Sequence, residues 1–81
     1  MAKLLQLTLS KVDAPVFDGE VVSVTVPGTE GEMTILADHT ALITVLRAGL
    51  VSIKTETGEI ITHQIASGTL EISNNHATVL I

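Results

Sequence analysis

The sequence predicts an all-β fold, a flattened β-sandwich or barrel of about eight to ten short strands, and three observations carry that reading. Val, Ile and Thr supply 28 of the 81 residues, and side chains branched at Cβ are stiff, crowd a helix and suit a pleated sheet. Apolar residues recur with period two, the mark of a strand with one buried face. Turn-forming pairs punctuate the chain at the regular spacing of sandwiches and barrels. No helical periodicity longer than one turn occurs.

The elements follow in order. From Lys3 to Lys11, Leu5, Leu7 and Leu9 alternate with Gln6, Thr8 and Ser10, which makes a first strand. Val12 to Pro15 interrupts it, because proline has no N–H for a ladder. Val16 and Phe17 form a short strand before an Asp18-Gly19 turn. Glu20 to Val26 is a strand with Val22, Val24 and Val26 inward, closed by Pro27-Gly28. Glu32 to Leu36 is a strand. Ala37 to Ala41 is a loop or one helical turn with Asp38 as its cap. Leu42 to Leu46 is a strand, and Ala48-Gly49 a turn. Val51 to Thr55 and Glu59 to Ala66 form a hairpin. Thr69 to Ser73 and His76 to Ile81 are the last strands, joined by Asn74-Asn75, since asparagine tolerates the left-handed conformation of tight hairpins. A strand set with one apolar face closes into two packed sheets.

Residues 1–81 make one domain with no internal repeat or linker. The absence of cysteine removes any disulfide framework or thiolate metal site. Phe17 is the single aromatic, so the core is Val, Ile and Leu. The formal net charge is −5, and the four basic residues, Lys3, Lys11, Arg47 and Lys54, are scattered singly. Binding a phosphate backbone needs clustered cations, so no nucleic acid is expected, nor an anionic membrane surface. The apolar runs are far shorter than the roughly 20 residues of a membrane span, so no direct lipid insertion is expected. The start carries no secretory pattern. The expectation is a soluble, intracellular chain.

The stretch from Gly28 to Leu46 gathers two glycines, Glu30, Glu32, Asp38 and His39 between strand-like runs. A metal site is not expected, because His39, His63 and His76 share no ligand spacing with one another or with an acid. Asp38, His39 and Thr40 hold the residue types of a nucleophilic triad. Sequence neighbours rarely point at one another, however, and triads are assembled from distant segments. Glu30 and Glu32 flank one glycine, and the plainer reading is a solvated acidic turn. Pro27 to Gly31 lacks the lysine and the helix of a phosphate loop. No catalytic residue and no cofactor are expected. What remains is a rigid β platform displaying two loops, and loops on rigid scaffolds are where recognition sits.

The residues then point to a family. Phe17-Asp18-Gly19-Glu20-Val21, Val24 to Glu32, Ile35-Leu36 with His39 and Leu42-Ile43-Thr44, Ala48-Gly49, Ser67 to Ile72 and Asn74 to Leu80 resemble the epsilon subunit of F-type ATP synthase. The resemblance runs in order from Leu4 to Ile81. It implies a ten-stranded β-sandwich without catalytic residues that turns with the rotor, between the gamma subunit and the c-ring of the membrane sector. It also implies a peripheral position on the cytoplasmic face of an energy-transducing membrane. The ring-facing loop corresponds to Glu30 and Glu32, and a neighbouring stalk contact to His39 and Leu42. Family members often carry a Pro-Gly pair before the histidine and a proline two residues after it. Here Ala37-Asp38 and Ala41 stand there, so a looser loop is expected. Most members continue into a helical hairpin that inhibits ATP hydrolysis, and residues 1–81 correspond to the sandwich alone. The alternative, a stand-alone ligand-binding β-sandwich, is disfavoured because such sites use aromatic platforms.

Overall fold

A computed structural model describes residues 3–81. Among them are nine strands: β1 (Leu5–Lys11), β2 (Ala14–Val21), β3 (Ser23–Gly28), β4 (Gly31–Leu36), β5 (Leu42–Leu46), β6 (Gly49–Lys54), β7 (Ile60–Ile65), β8 (Gly68–Ser73) and β9 (His76–Leu80). Hydrogen bonding runs unbroken in the order β2-β1-β9-β8-β5-β3-β6-β7. Both β4 and β6 pair with Ser23–Thr25 of β3, so they lie on opposite edges of that strand. All pairings are antiparallel except β1 with β9.

The sheet curls because β3 and β5 meet at one residue pair, Gly28 with Leu46. Thr29 N–H donates to the Val45 carbonyl at 3.2 Å, and Arg47 N–H to the Pro27 carbonyl at 2.9 Å. At that corner the sheet divides into a limb β2-β1-β9-β8-β5 and a limb β4-β3-β6-β7. Both limbs turn their alternate apolar side chains onto one core. Leu5, Leu7 and Leu9 from β1 meet Val24 and Val26 of β3 and Ile53 of β6 in a single cluster. Among the described residues no polar or charged side chain is buried. Each fully buried Val, Leu or Ile contributes about 1.5–3 kcal/mol relative to exposure, and with one aromatic residue these aliphatics hold the fold.

Four local expectations are corrected. The Asp18-Gly19 pair is not a turn: β2 is an eight-residue strand that contains it. Thr8 and Leu7 pair with Asp18 and Gly19, and a register slip between Leu9 and Ser10 leaves Val16 unpaired beside Pro15. Edge strands and bulges are where a sheet tolerates proline. Val22 does not enter the core. It is the bend between β2 and β3, where the chain changes limbs, and Val21 takes the buried position. The period-two phase shifts by one residue there. Pro27-Gly28 does not close β3 but belongs to it. β6 leaves the ladder after Thr25, so the missing N–H of Pro27 forfeits no bond to it. Of the two readings of Ala37 to Ala41, the loop holds, and the helical turn capped by Asp38 does not. Asp38 sits at φ 61 in a turn, a left-handed conformation that aspartate tolerates better than most residues.

Candidate interaction surface

The site begins with β4. Its first residue closes the acidic turn and its last leads into the histidine loop. A six-residue strand at about 3.3 Å per residue separates those ends by roughly 17 Å. Glu30 and His39 therefore stand at opposite poles of the sandwich, and the expectation that they form neighbouring contacts is corrected. β5 runs back along the molecule, bringing Leu46 to Gly28 and leaving Leu42 at the His39 pole.

At the first pole, Thr29-Glu30 is a two-residue turn between the Gly28–Gly31 pair. Gly31 has φ 135, a region that side chains avoid. Gly28 is required for another reason: a Cβ there would lie 2.7 Å from the Gly31 carbonyl oxygen. These two glycines let the hairpin close tightly and lift Glu30 into solvent. Glu32, also exposed, lies opposite Pro27. The pole presents two solvated carboxylates on a short, pinned hairpin.

At the second pole, His39 is exposed and its Nδ1 lies 2.7 Å from the Thr40 carbonyl. A carbonyl only accepts, so Nδ1 is the donor in this contact. The Asp38 carboxylate pairs with Lys3 at 2.8 Å. With the carboxylate drawn to Lys3 and the ring turned to a carbonyl, Asp38, His39 and Thr40 do not assemble a triad. The backbone N–H of Asp38 donates to Asn75 Oδ1 at 2.8 Å. Leu42 is half-buried and lines a surface depression of about 480 Å³ with Ala41, Ile43, Glu71, Ile72 and Ser73.

That depression opens onto an apolar face of the first limb that sequence reasoning did not single out. Ile43 is 75% exposed, Val45 57% and Leu80 52%. Val45 pairs with Thr69 and Thr69 with Leu80, so these side chains share the outer face. The signal was present in Leu42-Ile43-Thr44-Val45-Leu46. Apolar residues in both phases of one strand mean that both faces are fit for cover.

The remaining polar groups do not converge on chemistry. Thr8 Oγ1 lies 2.9 Å from His76 Nε2 and 3.4 Å from Asp18 Oδ1, which also accepts from Gln6 at 3.0 Å. Here the acid contacts the hydroxyl rather than orienting the histidine, on an open sheet face. His63 is half-buried on β7. Among the described residues no three His, Asp or Glu side chains cluster to hold a metal, and no helix is long and apolar enough to cross a membrane.

Fold and site together define a small all-β domain with exposed polar side chains displayed at its two ends. Over residues 4–81 the chain matches the family described as ATP synthase, Delta/Epsilon chain, beta-sandwich domain, and it belongs to that family. It is 36% identical over 77 residues to the ATP synthase epsilon chain of Sulfurimonas denitrificans, covering 95% of this chain and 59% of that one. It is 37% identical over 78 residues to that of Helicobacter acinonychis, covering 95% and 62%. The chain thus spans about three fifths of the length of these relatives. Its fold is shared with a chain of the Euglena gracilis mitochondrial ATP synthase (OSCP/F1/c-ring, rotational state 1) at TM-score 0.90 and 24% identity, covering 95% of this chain and 49% of that one. It is also shared with a chain of the Tetrahymena thermophila mitochondrial ATP synthase central stalk and c-ring at TM-score 0.77 and 20% identity, covering 98% and 63%.

Proposed function

We propose that this chain is a non-catalytic central-stalk subunit of an F-type ATP synthase, linking the gamma subunit to the c-ring and coupling ion translocation to ATP synthesis. The observation that carries the reading is the family match over residues 4–81. In this reading the subunit is a peripheral part of the complex at the membrane surface and takes no cofactor. Its mechanism is torsional linkage. A sandwich whose strands share one aliphatic core transmits torque as a stiff body, because close-packed interiors deform little.

Glu30 and Glu32 face the c-ring, where exposed carboxylates set register against basic or polar loops more than they add affinity. His39 and Leu42 face the gamma subunit, and the adjoining Ile43, Val45 and Leu80 extend that contact with apolar area. The separation of the two poles supports this division, since a linker must grip two partners at once. The test is reconstitution with a gamma subunit and a c-ring. Copurification with both is expected, and no gamma binding at micromolar concentration would overturn the assignment. Changing Glu30 and Glu32 together to Lys is expected to weaken ring attachment with the circular dichroism spectrum unchanged. Undiminished attachment removes the acidic hairpin from the ring contact.

A further inference from the structure

We propose that Asn75 is the positioning residue of the His39 loop, fixing its shape from the β8–β9 turn of the limb that the loop enters. The proposal deepens the preceding reading, since it assigns what holds one of the two contact poles in place.

The Ala37–Ala41 segment carries the chain from β4 in one limb to β5 in the other, and it lacks the prolines that stiffen a loop by restricting φ. Asn75 lies 37 residues beyond Asp38, in the two-residue Asn74-Asn75 turn between β8 and β9. Both asparagines have positive φ, 52 and 59, as a hairpin turn of this kind requires. The Asn75 side chain bonds outside its own hairpin. Its Oδ1 accepts the Asp38 N–H at 2.8 Å, and its Nδ2 donates to the Leu4 carbonyl at 2.8 Å. Its own carbonyl accepts from Gln6 N–H at 3.2 Å. The two carboxamide bonds fix the orientation of the amide, because one partner can only donate and the other only accept.

One half-buried side chain thus ties the chain entering β1, the β8–β9 turn and the loop leaving β4. The bond to the Asp38 N–H holds the residue whose left-handed φ of 61 sets the direction in which His39 leaves the turn. The Lys3–Asp38 ion pair joins the same segments, but both side chains are more than half exposed, and such pairs contribute little. The carboxamide is the brace. It replaces a conformational restriction within the loop by a hydrogen bond from outside it.

Two variants of the full chain test this. Asn75→Gly keeps the positive φ of the turn and removes the carboxamide. Asn75→Asp keeps the acceptor for Asp38 and loses the donor to Leu4. In Asn75→Gly, hydrogen exchange at the Asp38 amide is expected to accelerate more than tenfold, with the β8 and β9 amides unchanged, and Asn75→Asp is expected to restore most of the protection. Unchanged Asp38 exchange in a folded Asn75→Gly chain overturns the proposal. Acceleration spread evenly over β8 and β9 overturns it too, because Asn75 would then only stabilise its own hairpin. Gamma binding, read separately, is expected to weaken in Asn75→Gly about as much as in His39→Ala. Accelerated exchange with undiminished gamma binding upholds the positioning role and removes the His39 loop from the gamma contact instead.

Discussion

At the scale of the residue, the two glycines of the acidic hairpin do different work. Gly31 supplies a dihedral, whereas Gly28 supplies space against the Gly31 carbonyl. Gly28→Ala forces that carbonyl to move and crowds the Met33 side chain as well, and overpacking of this kind costs about 1–3 kcal/mol. The expected lower midpoint in urea unfolding checks it, with an unchanged slope showing that the two-state comparison holds. The sequence showed that glycines were needed here, through the Pro-Gly-Thr-Glu-Gly pattern. It did not show which one answered to backbone conformation and which to contact. That distinction depends on a carbonyl three residues away in a paired strand.

At the scale of the element, alternation was a sound guide wherever a strand stayed in one limb. β1, β6 and β8 bury one phase of their alternating patterns, with Leu7 near the centre of β1 fully buried. Leu7→Ala is expected to destabilise by about 2–5 kcal/mol, the range for truncating a core leucine. Val12, fully exposed in the turn after β1, is expected to accept Ser within about 0.5 kcal/mol. Chemical denaturation of both variants separates the two cases. Equal losses would mean that period two does not identify the core. The pattern misled at Val22, where a strand-like run of valines hides a crossing between limbs, and at Asp18-Gly19, where pairing with β1 overrides local turn preference. Local propensity is a weak guide when a neighbouring strand supplies both partners.

At the scale of the whole molecule, the poles are far enough apart to act independently. Sites more than about 10 Å apart with no shared partner usually combine additively, within roughly 0.5 kcal/mol. A chain carrying Glu30→Lys, Glu32→Lys and His39→Ala is therefore expected to lose ring and gamma affinity by the separate amounts, measured by titrating each partner in turn. Strong coupling between them would argue for one continuous interface. Glu30, Glu32 and His39 were legible as surface residues because charged and polar groups are costly to bury, whereas half-buried Leu42 entered through the family resemblance alone. Their division into two poles was not, because nineteen consecutive residues from Gly28 to Leu46 read as one feature until β4 is seen to separate them.

The sequence by itself determined the all-β class, the number of strands within its range, most strand positions and the aliphatic identity of the core. It also carried the family, through residues spread over Leu4 to Ile81. The class, the strands and the core follow from properties local to the chain: branching at Cβ, period-two hydropathy, and the conformations open to Gly and Asn. Only the tertiary structure decided where the limbs join, which valine turns inward at the crossing, and that Asn75 reaches the loop displaying His39. Each of these depends on groups far apart in the chain becoming neighbours through backbone pairing. The Gly28–Leu46 corner and the Asn75 brace are contacts made by the fold, with no periodicity in the sequence to announce them.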